Sequence, residues 1–161
     1  MPLLAVAALL LLLPLSPLAA QTPRVETPRA QVTLTFQLTR TEGGAATGKP
    51  QVVGAPVLIT LDGSTGSLQI TGGELEYALS VSPTLEPENR VALLWSLQLS
   101  GKSLPGATSA TLSGATRVLR DRTEPVAELT LRDPRTGRSS SFHLVVKTTV
   151  TEPGKAAASM P

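Results

Sequence analysis

The fold of this chain is indicated most clearly between Pro56 and Leu99, which read PVLITLDGSTGSLQITGGELEYALSVSPTLEPENRVALLWSLQL. Apolar and polar residues alternate along most of this stretch, and glycines or prolines interrupt the alternation. A period of two places the apolar side chains on one face of an extended strand, which is typical of a half-buried β-strand. The stretch therefore predicts consecutive short strands joined by tight turns.

Glycine and proline divide the stretch into strands. Asp62-Gly63 closes the first strand, and Gly72-Gly73 predicts a two-residue hairpin turn, because such turns need a positive φ that glycine adopts at little cost. Pro83 and Pro87 predict the end of the next strand, because proline cannot donate a hydrogen bond to a neighbouring strand.

The same alternation continues on both sides of this stretch. A loop is expected at Thr41–Pro50, and further strands are predicted at Gln31–Thr39, Ala110–Leu119, Glu124–Leu131 and Ser139–Val150. Gly114 predicts a bulge or kink within its strand. No apolar stripe in the predicted mature chain has the 3.6-residue period of a helix. The predicted fold class is all-β: a single antiparallel β-sandwich or open barrel of about eight strands, after an N-terminal signal peptide.

The N-terminal segment has the composition of an export signal. Leu3–Leu15 is almost entirely Leu, Ala and Val, and small residues end the signal at Ala20. We expect cleavage near Ala20, with an uncleaved anchor as the alternative. The predicted organisation is a signal peptide at 1–20, a flexible lead-in at 21–30, a β-domain at 31–150 and a disordered tail at 151–161. The mature protein is expected to be periplasmic or extracellular, with no membrane span once the signal is removed.

Composition excludes several classes of protein. The chain has no cysteine, which excludes disulfides and lipid attachment through a thioether. The formal net charge is only +2, and the basic residues are scattered rather than interleaved with aromatic residues. Nucleic-acid-binding proteins carry a denser basic face, so no nucleic-acid partner is expected.

The residues that carry catalysis or bind metals are sparse. His143 alternates with apolar neighbours and is expected on the polar side of its strand, while Ser139–Ser141 begins that strand after a turn. Glu74 and Glu76 are expected on the polar face of one strand, and Asp62 is expected to act as a turn residue. A nucleophilic relay or a zinc site needs several such groups together. We therefore predict no catalytic, cofactor-binding or metal-binding residue, no cofactor and no enzymatic activity.

The aromatic residues are predicted to belong to the core. Each one lies among Leu and Val at two-residue spacing: Phe36, Tyr77, Trp95 and Phe142. The alternative is an exposed stacking platform for a sugar or peptide.

Residues 56–100 resemble part of the secretin domain, the ring-forming outer-membrane channel domain of type II and III secretion and type IV pilus systems. The resemblance rests on a Pro-hydrophobic strand from Pro56 into Asp62-Gly63, on Gly73, and on a strand that ends near Ser82-Pro83. It implies a stand-alone secretin-like β-module without a channel. The matched positions are turn and core residues, so the resemblance transfers no functional residue.

The expected function is therefore that of an exported, non-enzymatic β-domain that binds another cell-envelope protein or takes part in secretion assembly. Docking is expected by strand addition or by face packing, with Gln31–Thr39 or Phe142–Val150 as the docking element, because an unpaired strand edge accepts a partner strand. The alternative is an extracytoplasmic small-molecule or glycan-binding module. The sequence predicts neither the oligomeric state nor the identity of the partner.

Overall fold

The alternating segments form β-strands in two antiparallel sheets. A computed structural model describes residues 28–43 and 48–153, and its strands are β1 (Gln31–Glu42), β2 (Gln51–Gly54), β3 (Val57–Leu61), β4 (Gly66–Ile70), β5 (Glu76–Glu86), β6 (Arg90–Ser100), β7 (Ser109–Leu119), β8 (Thr123–Arg132) and β9 (Ser139–Thr151). All eight predicted strands are present, and β2 is an additional one. No helix within these ranges is long and apolar enough to cross a membrane.

The two sheets differ in how their strands are ordered. Sheet A has the order β2-β1-β9-β8, and β3 pairs with β1 on the same side as β2. β3 lies opposite Gln31–Thr35, whereas β2 lies opposite Leu38–Arg40. Sheet B has the order β4-β5-β6-β7, and each strand pairs with the next in the chain. The chain changes sheets between β3 and β4 and again between β7 and β8, so the predicted antiparallel sandwich is confirmed.

The core lies between the two sheets and consists of the side chains predicted to share one face. Phe36 and Trp95, from sheets A and B, are 1% and 7% exposed. Burial of a large apolar side chain contributes about 1.5–3 kcal/mol. All four aromatic residues are buried, which confirms that they belong to the core: Phe36, Tyr77, Trp95 and Phe142.

The prediction that Pro83 ends its strand is wrong, because β5 continues to Glu86, directly before Pro87. The Pro83 carbonyl accepts a hydrogen bond from Gly63 N–H at 2.8 Å. In an extended strand the nitrogen and oxygen of one residue point to the same side. The nitrogen of Pro83, which cannot donate a hydrogen bond, therefore points away from β6. β4 does not extend far enough to lie opposite Pro83, so no hydrogen bond between strands is lost.

The predicted two-residue turn at Gly72-Gly73 is also wrong. Five residues, 71–75, separate β4 from β5. Leu75 packs against the core, and the Glu74 carbonyl accepts a hydrogen bond from Ser103 Oγ at 3.2 Å. These contacts hold the segment against the loop after β6 and away from the position of a tight hairpin.

Gly114 does not produce the predicted bulge or kink. β6 and β7 pair without a register shift, and Gly114 lies directly opposite Trp95. A Cβ at Gly114 would lie 2.9 Å from Trp95 Cζ2. The glycine therefore leaves room for the indole ring, and the register shifts lie in the other sheet, between β1 and β2 and between β8 and β9.

The predicted signal peptide at 1–20 lies outside the described residues, as do most of the lead-in and of the tail. These assignments remain predictions. Within the predicted loop at Thr41–Pro50, β1 extends to Glu42.

Candidate docking site

His143 lies on the outer face of sheet A, as predicted. Its Nδ1 atom is 3.9 Å from Glu128 Oε2, its cross-strand neighbour in β8. The serines that begin β9 are engaged elsewhere: Ser140 Oγ accepts from Arg40 Nε at 3.3 Å, and Ser141 Oγ contacts Thr130 Oγ1 at 2.9 Å. No His–Ser relay is formed by these residues.

The predicted pairing of Glu74 and Glu76 on one strand is wrong, because β5 begins at Glu76 and Glu74 lies in the preceding loop. Across residues 28–43 and 48–153, no three His, Cys, Asp or Glu side chains are grouped closely enough to hold a metal ion.

Asp62 is a turn residue, as predicted, and it also connects the two sheets. Ser64 N–H donates to the Leu61 carbonyl at 2.9 Å, and Gly63 has a φ of 72°, which closes the β3–β4 turn. The Asp62 carboxylate accepts a hydrogen bond from Leu85 N–H in β5 at 2.9 Å. The turn therefore pairs with the part of β5 that extends beyond β4.

The predicted docking edges, Gln31–Thr39 and Phe142–Val150, are wrong. The first belongs to β1, which lies between β9 and the β2/β3 pair, and the second belongs to β9, which lies between β1 and β8. Alternation records which face of a strand is buried, and central and edge strands of a sandwich each bury one face. The pattern therefore does not identify edges.

The strands that do lie at edges differ in how well they suit pairing. β2, β3 and β4 have only four or five residues each. β8 is longer but carries Pro125 and a register shift, and Glu124 and Glu128 add charge. Short strands, proline, bulges and charges are the features by which proteins block edge pairing. None of these strands is a good template for a partner strand.

β7 lacks most of these features. It has eleven residues, contains no proline, pairs with β6 in unbroken register, and carries its single charge at Arg117. Sequence reasoning missed this edge because alternation does not show how many neighbouring strands a strand has, and because Gly114 was interpreted as a bulge or kink. The strand is long, and the residues that face outward on it are small: Thr111, Ser113 and Ala115.

Two hydrogen bonds determine which backbone groups of β7 face the open edge. Gly101 N–H donates to the Thr108 carbonyl at 3.1 Å, and Arg120 N–H donates to the Asn89 carbonyl at 2.9 Å. Hydrogen-bonded pairs alternate along an antiparallel ladder, so the even-numbered residues of β7 bond to β6. The outward backbone groups belong to the odd-numbered residues: Ser109, Thr111, Ser113, Ala115 and Arg117.

Comparison with known structures shows which fold this is. The type II secretin GspD from enteropathogenic Escherichia coli superposes on the chain with a TM-score of 0.57. The superposition covers 83% of this chain and 72% of that one, at 11% sequence identity. The chain has the fold of a secretin domain. The resemblance seen at residues 56–100 is therefore confirmed at the level of the fold, and it extends over most of the chain.

Two other secretins also align with this secretin-like domain. InvG of the Salmonella SPI-1 injectisome aligns over 81% of this chain and 63% of its own, with a TM-score of 0.43 and 13% identity. ExeD of Aeromonas hydrophila aligns over 81% of this chain and 50% of its own, with a TM-score of 0.45 and 11% identity. No protein-family model and no curated protein matches the sequence.

Proposed function

We propose that this secretin-like domain is an exported, non-enzymatic component of a secretion assembly that binds another cell-envelope protein without forming a channel itself. The observation that carries the proposal is the secretin-domain fold, shared with GspD over 83% of the chain. Export to the periplasm or the exterior is supported by the apolar run Leu3–Leu15.

The proposed mechanism of binding is strand addition to β7. Within residues 28–43 and 48–153, the outward N–H and C=O groups of Thr111, Ser113 and Ala115 have no partner strand, and their short side chains leave the backbone accessible. A partner strand would pair with these groups and extend sheet B to five strands. The alternative, a glycan-binding module, favours exposed aromatic side chains, and all four in this chain are buried.

Ser113→Pro tests strand addition without disturbing the ladder to β6. The N–H that this substitution removes points to the open edge, and an edge strand tolerates proline at such a position. Ser113→Ala is the matched control, because it also removes the hydroxyl group but keeps the N–H. Both tagged variants, checked for folding by circular dichroism, are used to capture envelope proteins from the native cells.

Wild type and Ser113→Ala are expected to retain the same stoichiometric envelope partner, whereas folded Ser113→Pro is expected to lose it. Equal retention by Ser113→Pro would rule out docking at this edge. A stable monomer that captures no envelope protein in any form would overturn the assembly function.

A further inference from the structure

A polar cleft of about 740 Å³ lies at the end of the sandwich where β1 and β8 finish. Its walls are the loop after β6, at residues 102–106, and the β8–β9 hairpin. The charged side chains that line it are Arg40, Lys102, Arg138, Glu42, Glu74 and Asp133.

Arg40 is the most rigidly held of the cations in the cleft. Its side chain is 16% exposed, and its Nη2 atom lies 3.0 Å from both the Ser103 carbonyl and Glu42 Oε1. Nε donates to Ser140 Oγ, and the guanidinium carbon lies 6.0 Å from the centroid of the Phe142 ring. A guanidinium has five N–H donors, and the two on Nη1 have no acceptor within residues 28–43 and 48–153.

Two of the three carboxylates in the cleft are already engaged. Glu42 pairs with Arg40. Asp133 accepts hydrogen bonds from Arg135 N–H at 2.8 Å and from Thr136 Oγ1 at 2.9 Å. The backbone bond from Arg135, followed by the bond from Thr136, lowers the pKa of Asp133, so this carboxylate stays ionised within its turn.

The other two cations remain available. Lys102 and Arg138 form no ion pair with any residue in the described ranges, and of the three lining carboxylates only Glu74 is uncommitted. Charges that are not compensated within the protein favour an anionic ligand. The cleft therefore offers a fixed guanidinium edge and two further cations to an incoming anion.

We propose that this cleft binds a carboxylate group of a polypeptide partner, with Arg40 Nη1, Lys102 and Arg138 as its donors. A planar guanidinium held in place by other bonds suits a carboxylate. The loop that forms one wall leads directly into β7 at Ser109, which places the cleft beside the start of the proposed docking edge. That the carboxylate belongs to a polypeptide rests on the proposed function. That the cleft binds a carboxylate rests only on the residues that line the cleft.

The test is a titration of the full mature protein with short blocked peptides, in which NMR monitors binding. One peptide carries two glutamates, a second carries glutamines at the same positions, and inorganic phosphate is the third ligand. The variants are Lys102→Ala and Arg138→Ala, both at exposed positions where the fold is expected to survive. Arg135→Ala is the control matched to Arg138→Ala. It removes a positive charge from the same hairpin, and Arg135 does not line the cleft.

The glutamate peptide is expected to shift the Arg40 side-chain resonances, and the glutamine peptide is not. Lys102→Ala and Arg138→Ala are each expected to weaken the affinity by about tenfold, the size of one charge-assisted hydrogen bond, with Arg135→Ala close to wild type. Equal losses in Arg135→Ala, binding of the glutamine peptide, or binding of phosphate alone would overturn the proposal. Ser113→Pro is expected to bind the glutamate peptide normally, so failure of strand addition and failure of the carboxylate site are distinguishable.

Discussion

The carboxylate of Asp62 accepts a hydrogen bond from the backbone N–H of Leu85 at 2.9 Å, which joins the turn after β3 to β5 of the other sheet. The neighbouring bond from Gly63 N–H to the Pro83 carbonyl runs between the same two segments. Together they pair the part of β5 that β4 is too short to reach.

Removing the Asp62 acceptor is expected to destabilise the protein. Asp62→Ala leaves the part-buried Leu85 N–H without its acceptor, and the cost of a fully buried unpaired donor, about 1–3 kcal/mol, is the upper limit of the expected loss. Asp62→Asn keeps an acceptor oxygen and should remain closer to wild type. The free energy of unfolding of both variants is measured by urea denaturation, with Trp95 fluorescence as the signal. Equal stability of Asp62→Ala and wild type would show that water replaces this bond.

Because Gly114 lies against Trp95, even the methyl group of alanine at position 114 is expected to destabilise the protein. A Cβ at position 114 would press on the indole ring, and overpacking of this kind costs about 1–3 kcal/mol. Gly114→Ala should therefore lower the midpoint of urea unfolding and shift the emission of Trp95. Ser113→Ala, whose side chain faces outward on the same strand, should change stability by less than about 0.5 kcal/mol. Similar effects of both substitutions would argue against the close packing of the ring.

The carboxylate of Asp133 is expected to contribute to stability in a way that depends on pH. Its pKa is below the ordinary value because its carboxylate accepts hydrogen bonds, first from Arg135 N–H and then from Thr136 Oγ1. A lowered pKa stabilises the fold above the unfolded value near 3.8, and this stabilisation is lost as the pH falls through the folded value. Asp133→Asn should therefore lose less stability than wild type between neutral pH and the acid range. The measurement is the free energy of unfolding of both proteins as a function of pH. Parallel curves for Asp133→Asn and wild type would contradict this role.

The sequence predicts the core well and the connections between strands less well, for a physical reason. Alternation at Leu34 and Phe36 follows directly from which side of a strand is buried, so the core face is predictable residue by residue. Thr35 in central β1 and Ser113 in edge β7 are both polar and outward-facing, however, and their different numbers of neighbouring strands depend on long-range pairing. The docking edges could not be predicted from the pattern alone.

Some of the missed features did have a signal in the sequence. Arg40 continues the inward-facing series of Val32, Leu34, Phe36 and Leu38, and a charged residue at an inward position indicates a special environment. Pro83 and Gly114 lacked such a signal, because the residues that accommodate them, Gly63 and Trp95, come from other parts of the chain.

Hydrogen exchange along β7, measured in the isolated protein and in the complex with its captured partner, tests the central claim most directly. Strand addition predicts that the outward amides of Thr111, Ser113, Ala115 and Arg117 exchange quickly in the isolated protein and become protected in the complex. The alternate amides of Ala110, Leu112, Gly114 and Thr116 should be protected in both states, because they bond to β6. Outward amides that exchange equally fast in the two states would contradict strand addition at this edge.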